Sequence, residues 1–102
     1  MVDKYVEEVS EREGLTAPRL TPDHIQKQIV NEEFHVFPNT MMTVCCLTLR
    51  NGFNTVGTSA CVSPENFNAE IGIMVSRRNA IQEIWSLEGY LLKENLHKSN
   101  QD

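Results

Sequence analysis

Positive charge is scarce in this 102-residue chain, where nine Lys and Arg stand against fourteen Asp and Glu for a net charge of −5. Without a positive field, sequence-independent binding to a phosphate backbone is disfavoured, so no nucleic-acid polymer is expected as a partner. Long hydrophobic runs are missing too. The best stretch, Met41 to Leu49, contains Thr43 and Thr48 and falls well short of the roughly 18–20 apolar residues a membrane span needs. No membrane partner is expected. The opening residues, Met1-Val2-Asp3-Lys4-Tyr5-Val6-Glu7-Glu8, carry acids where a signal peptide needs a basic region and an apolar run. A soluble cytoplasmic protein is the expectation.

Cysteine is sparse and unpaired in number: there are three, and Cys45 and Cys46 are neighbours whose side chains would point to opposite faces of a strand. That pattern disfavours a disulfide framework and fits a reducing compartment. No Cys-x-x-Cys, His-x-x-x-His or His-Glu-x-x-His spacing occurs among the three Cys and the three His (His24, His35, His97), so no metal is expected. Glycine-rich phosphate loops are absent, and Glu7, Glu8, Glu11 and Glu13 read as one solvated helix face rather than a paired acid and base. No activated nucleophile can be placed beside a histidine. The chain therefore reads as a binder without a cofactor, not as an enzyme.

What is present fits one domain over 1–102, of the α+β class: a small antiparallel sheet built on a central hairpin (about 41–62), an N-terminal helical segment, and a long C-terminal helix (about 64–96) packed on one face. Val2, Val6 and Val9 are spaced for a short amphipathic helix over 3–13. Thr21-Pro22-Asp23 is a helix start, with the helix running to about Asn31 and an edge strand over Phe34–Phe37. Asn51-Gly52 between two Thr- and Val-rich runs predicts a two-residue type I′ turn. In that register Arg50 faces Phe53, Thr48 faces Thr55, Cys46 faces Gly57 and Val44 faces Ser59. Val56, Ala60 and Val62 then join Cys45, Leu47 and Leu49 on the helix side. Ser63-Pro64-Glu65 is a second helix start.

At ~1.5 Å per residue the C-terminal segment would be about 45–50 Å long, more than a domain this size covers. It must break near Ser76–Asn79 or Ser86–Gly89, or extend across a second copy. Gly72, Ser76 and Ala80 form a strip of small residues open to a close backbone approach, and a homo-oligomer built on dimers is expected.

Between Phe34 and Pro64 the only Lys, Arg, Asp or Glu is Arg50. In the predicted register it shares the outer face with Phe53, Thr48, Thr55 and Ser59, so a guanidinium, a ring and hydroxyls meet there. That set matches the phosphate, base and ribose of a nucleotide; a solvated hairpin tip explains it equally well. Arg77 and Arg78 interrupt the apolar helix stripe, so at least one must point toward polar surroundings or a partner, and a snorkelling surface pair is the simpler explanation.

Three segments together resemble the phage gene-product forty-nine family of small tailed-phage proteins: Leu15-Thr16-Ala17-Pro18-Arg19 with Thr21-Pro22; Leu49-Arg50-Asn51-Gly52-Phe53 running on to Ser63-Pro64-Glu65-Asn66-Phe67; and Asn79-Ala80 to Trp85 with Leu87-Glu88-Gly89-Tyr90-Leu91-Leu92. That family is similar to the Thoeris anti-defence sponges. The resemblance implies a homo-oligomer in the host cytoplasm that binds cyclic ADP-ribose-type signalling nucleotides made by TIR immune proteins, without cleaving them. The alternative is a phage accessory protein that binds a host protein and recognises no small molecule.

Overall fold

The computed structural model describes residues 18–100, so the helix expected over 3–13 lies outside the described residues. Thr21 caps the first helix as its sequence predicts. Its side-chain oxygen accepts the His24 N–H at 3.1 Å, and Pro22 sits in the first turn, where a missing N–H costs nothing. This helix, α1 (Pro22–Lys27), stops well before Asn31. Ile29 and Val30, β-branched and better suited to a pleated surface than to a helix end, instead begin strand β1 (Ile29–Val36). The expected edge strand therefore exists but starts earlier. It pairs with β2 (Met42–Leu49), which pairs with β3 (Asn54–Ala60), giving a three-stranded antiparallel sheet in the order β1-β2-β3.

The hairpin forms where predicted, but its register differs. Gly52 has φ of 90° and donates to the Leu49 carbonyl at 2.8 Å, while Asn51 is not among the residues of positive φ. The loop is thus a type I turn followed by a left-handed glycine, with three residues rather than two between the paired positions. The Asn51 Oδ1 accepts the Phe53 N–H at 3.0 Å and stabilises this form. Leu47 then faces Thr55, Cys45 faces Gly57, Cys46 faces Val56 and Thr43 faces Ser59. A slip of one residue reverses every side chain of one strand against the other. β2 keeps its predicted faces, with Thr43, Cys45, Leu47 and Leu49 buried. β3 is inverted: Thr55 and Gly57 are buried, Ser59 is half-buried, and Asn54, Val56, Thr58 and Ala60 are exposed.

Ser63-Pro64-Glu65 opens a single 3-10 turn (Pro64–Asn66) rather than the long helix. The Ser63 hydroxyl bonds the Glu65 carboxylate, which lowers the pKa of that carboxyl. The long helix, α2 (Ala69–Ser99), is capped instead by Asn68, whose side chain accepts the Ile71 N–H at 3.0 Å. It runs 31 residues without a break, about 46 Å at ~1.5 Å per residue.

Gly72, Ser76 and Ala80 are all buried, but against the chain's own sheet. A Cβ added at Gly72 would lie 2.5 Å from Thr43 Oγ1, and one added at Gly57 would lie 2.1 Å from the Ser76 carbonyl oxygen and 2.3 Å from the Ala80 nitrogen. The small-residue strip expected to receive another copy is therefore occupied by β2 and β3. Around it close Ile25, Cys45, Leu47, Leu49, Ile81 and Ile84, with Leu20, Ile29, Phe34 and Trp85 at the margin. The fold is α+β, with α2 on one face of the sheet. Among the described residues no helix is long and apolar enough to cross a membrane.

Candidate functional site

The short helix α1 positions the site. Ile25 anchors it in the core at 1% exposure, and its two flanks each border a cleft against α2.

On one flank, Pro22, Ile25 and Gln26 of α1 face Met74, Arg77, Arg78, Ile81 and Trp85 of α2 across a cleft of about 360 Å³. Met74, Arg78, Ile81 and Trp85 recur at helical spacing, so one stripe of α2 presents an indole, an aliphatic floor and a cation together. The two arginines differ in what holds them. Arg77 donates from Nε to the Glu32 carboxylate at 2.8 Å and from Nη2 to Gln26 Oε1 at 3.1 Å, which fixes it across β1 and α1. Arg78 is exposed and has no hydrogen-bond or ion-pair partner among the described residues. The expectation that at least one arginine meets polar surroundings holds for Arg77.

On the other flank, His24 Nε2 lies 2.7 Å from Glu88 Oε1 and ties α1 to α2. Around that pair, Arg19, Thr21, Arg50, Leu91, Leu92 and Asn95 line a cleft of about 500 Å³. Arg50 reaches it because its backbone N–H donates to the Gln28 carbonyl at 2.9 Å and its Nε donates to Gln28 Oε1 at 3.1 Å. Gln28 is itself buried and donates from Nε2 to the His24 carbonyl at 3.0 Å. The guanidinium is thus drawn to the junction of α1 and β1.

The predicted outer-face cluster does not assemble. Phe53 is 57% exposed at the hairpin tip and lines neither cleft. Thr48 is on the outer face, where its hydroxyl accepts from Asn54 Nδ2 at 3.0 Å. Thr55 and Ser59 face α2, and the Thr55 hydroxyl is buried with no partner. Cys46 faces outward opposite Val56, and Cys61, just beyond β3, donates to the Ser63 carbonyl at 3.4 Å. Sequence reasoning missed Trp85, Gln26 and Met74 as cleft residues. Their signal was available for α2, because Met74, Arg78, Ile81 and Trp85 fall on one helical stripe, but the facing wall comes from α1, remote in sequence. Among the described residues, no three of His, Cys, Asp and Glu come together to hold a metal ion.

The model of one family, described as Phage protein (N4 Gp49/phage Sf6 gene 66), matches residues 20–96. The chain belongs to that family. No curated protein and no solved structure matches it. In this phage protein the matched segment contains the whole of the Trp85 cleft, together with Arg50, His24 and Glu88 of the other.

Proposed function

We propose that this phage protein sequesters a small signalling nucleotide of the cyclic ADP-ribose class, made by host TIR immune proteins, and holds it intact, so that the free signal falls and host defence is silenced. The observation that carries the reading is the meeting of Trp85, Arg77 and Arg78 in one cleft. An indole and an aliphatic floor offer a base a stacking surface, and a guanidinium with no partner among the described residues offers a phosphate two parallel donors. The cleft volume is near the lower end of the roughly 300–1,000 Å³ usual for small-molecule sites. It suits one base and its phosphate rather than a polymer, consistent with the acidic net charge. Arg77, already held by Glu32 and Gln26, shapes the wall, and Arg78 is the phosphate contact.

The competing reading, a phage accessory protein that binds a host protein, is favoured by the outer sheet face, where Val56 is 46% exposed and Met42 is 39% exposed. Incubation with a panel of signalling nucleotides, followed by heat denaturation and chromatography of the released material, separates the two. Release of an intact cyclic nucleotide supports sequestration; no uptake from the panel overturns it, and progressive conversion of the nucleotide in proportion to protein overturns the non-catalytic part. Trp85→Ala should weaken binding by about 1–3 kcal/mol through the lost stack, and Arg78→Ala by about 1.5–3 kcal/mol through the lost charge-assisted bond. Arg50→Ala and Phe53→Ala test the hairpin tip: if these abolish uptake and the α2 changes do not, the ligand sits there instead.

A further inference from the structure

The sheet has two edges, and they are treated differently. On β3, the outward backbone is met by α2: the Val56 N–H donates to Glu83 Oε2 at 3.2 Å, and Asn79 Nδ2 donates to the Thr58 carbonyl at 2.8 Å. Those side chains occupy two of the hydrogen-bonding groups that an open edge would offer another strand.

On β1 the outward groups follow from the ladder. The Phe37 N–H bonds the Met42 carbonyl, so Phe37 and, by alternation, His35, Glu33 and Asn31 spend their backbone groups on β2. The N–H and C=O of Glu32, Phe34 and Val36 therefore point away from the sheet. No side chain among the described residues bonds to them. The side chains beside this edge are partly open: Phe34 is half-buried, Val36 is 38% exposed and Phe37 is 45% exposed.

We infer that β1 pairs antiparallel with β1 of a second copy across a two-fold axis centred on Phe34, joining the two sheets through their unprotected edges. Symmetry and charge select this register. Centred on Phe34, the outward-pointing residues are the ones that bond: Phe34 with the partner's Phe34, and Glu32 with the partner's Val36, as an antiparallel ladder requires. Glu33 then stands opposite the partner's His35, so a carboxylate meets an imidazole twice, once on each side of the axis. The His35 ring is steadied for this by its edge-on packing with Phe37, centroids 4.9 Å apart. A centre at Glu32 would set two carboxylates against each other, and a centre at Val36 would bring Pro38, which has no N–H to give, opposite Phe34. The inference does not rest on the nucleotide reading, because no residue of β1 lines either cleft, although Glu32 holds Arg77 of the Trp85 cleft through its side chain.

The test joins mass to a covalent report of register. Light scattering of the unmodified chain at micromolar concentration should give twice the 11.6 kDa chain mass; a monomer throughout overturns the proposal and leaves the edge to a strand from another protein. In a Cys46→Ser background, which removes the thiol facing Glu33 within the chain, Glu33→Cys with His35→Cys places cysteines opposite one another across the axis. Their Cα separation of about 4.5 Å, expected for a non-hydrogen-bonded pair, is one a disulfide spans. Mild oxidation should convert this variant to a covalent dimer, whereas Asn31→Cys with Glu33→Cys, out of register, should stay uncrosslinked. A dimer that the first variant fails to trap, or that both variants trap equally, overturns the register. Val36→Pro, which removes only an outward N–H, should shift the chain to monomer with its circular dichroism unchanged.

Discussion

β2 and β3 are the two arms of one hairpin, yet they meet the long helix by opposite means. β2 turns Cys45, Leu47 and Leu49 inward and supplies apolar volume. β3 turns Thr55, Gly57 and Ser59 inward and supplies nearness: α2 comes so close that a Cβ at Gly57 would collide with the backbone at Ser76 and Ala80. Meanwhile Val56, the most apolar residue of β3, is 46% exposed. Burial on β2 is mostly of apolar side chains, as transfer energies favour, with Thr43 the polar exception. On β3 it follows the distance at which two backbones pack, which small residues set. Ser76 and Ala80 on α2 and Gly57 on β3 are the two halves of that contact, while Gly72 packs on Thr43 of β2.

The sharpest way to break the contrast is Gly57→Val. The added side chain meets main-chain atoms rather than the end of a flexible neighbour, so neither strand nor helix can yield cheaply. A loss of at least about 3 kcal/mol is expected, a large share of the roughly 5–15 kcal/mol that keeps a small domain folded. Urea denaturation should show the midpoint collapsing or the chain arriving unfolded. Val56→Ala, one residue away on the exposed face, should move the midpoint within about 0.5 kcal/mol. Were the two-residue turn correct, the ranking would reverse.

That reversal also marks where the sequence stopped being informative. The hairpin position, the long helix, the α+β class and the Thr21 cap were all legible because each is a local signal. The register was not, since Asn51-Gly52 suits both a type I′ turn and a type I turn with a left-handed glycine, and only the docking of Gly57 on α2 separates them. Likewise Ile25 and Ile29 fit one helical stripe, and the sheet pairing with Leu49 is what claims Ile29 for β1. Arg50 was legible as an isolated cation, but its direction depends on Gln28, buried in a segment remote in sequence. The Trp85 cleft was half legible, through the α2 stripe, and its other wall was not.

A smaller effect sharpens the comparison. The Thr55 hydroxyl is buried and partnerless, which costs about 1–3 kcal/mol relative to a satisfied or absent polar group. Valine has nearly the same shape, and the β-branch suits the strand. Thr55→Val should therefore stabilise the fold by about 1 kcal/mol, read as a higher urea midpoint with an unchanged slope. If Thr55 faced outward beside Thr48, as the two-residue turn required, the same change would be close to neutral.

The least perturbing test begins with the unmodified chain, because β2 carries adjacent cysteines on opposite faces. Cys45 is fully buried, and burial, reinforced by the Glu32 carboxylate, pushes its thiol up from the ordinary range. Cys46 is half-buried on the outer face. Since the thiolate is the nucleophile, iodoacetamide near pH 8 should label Cys46 in the folded protein and reach Cys45 only after unfolding, as peptide mapping would show. The sign of the linked pH effect follows. With the folded pKa above the unfolded one, the folded state holds the proton more tightly, so this contribution is complete below the ordinary thiol range and is lost as pH rises through the folded value. The urea midpoint should fall on the alkaline side, and Cys45→Ala should remove that slope while Cys46→Ala leaves it. Equal labelling of the two thiols in the folded protein would mean that β2 does not keep one face closed, and the contrast with β3 would fail at its better-supported half.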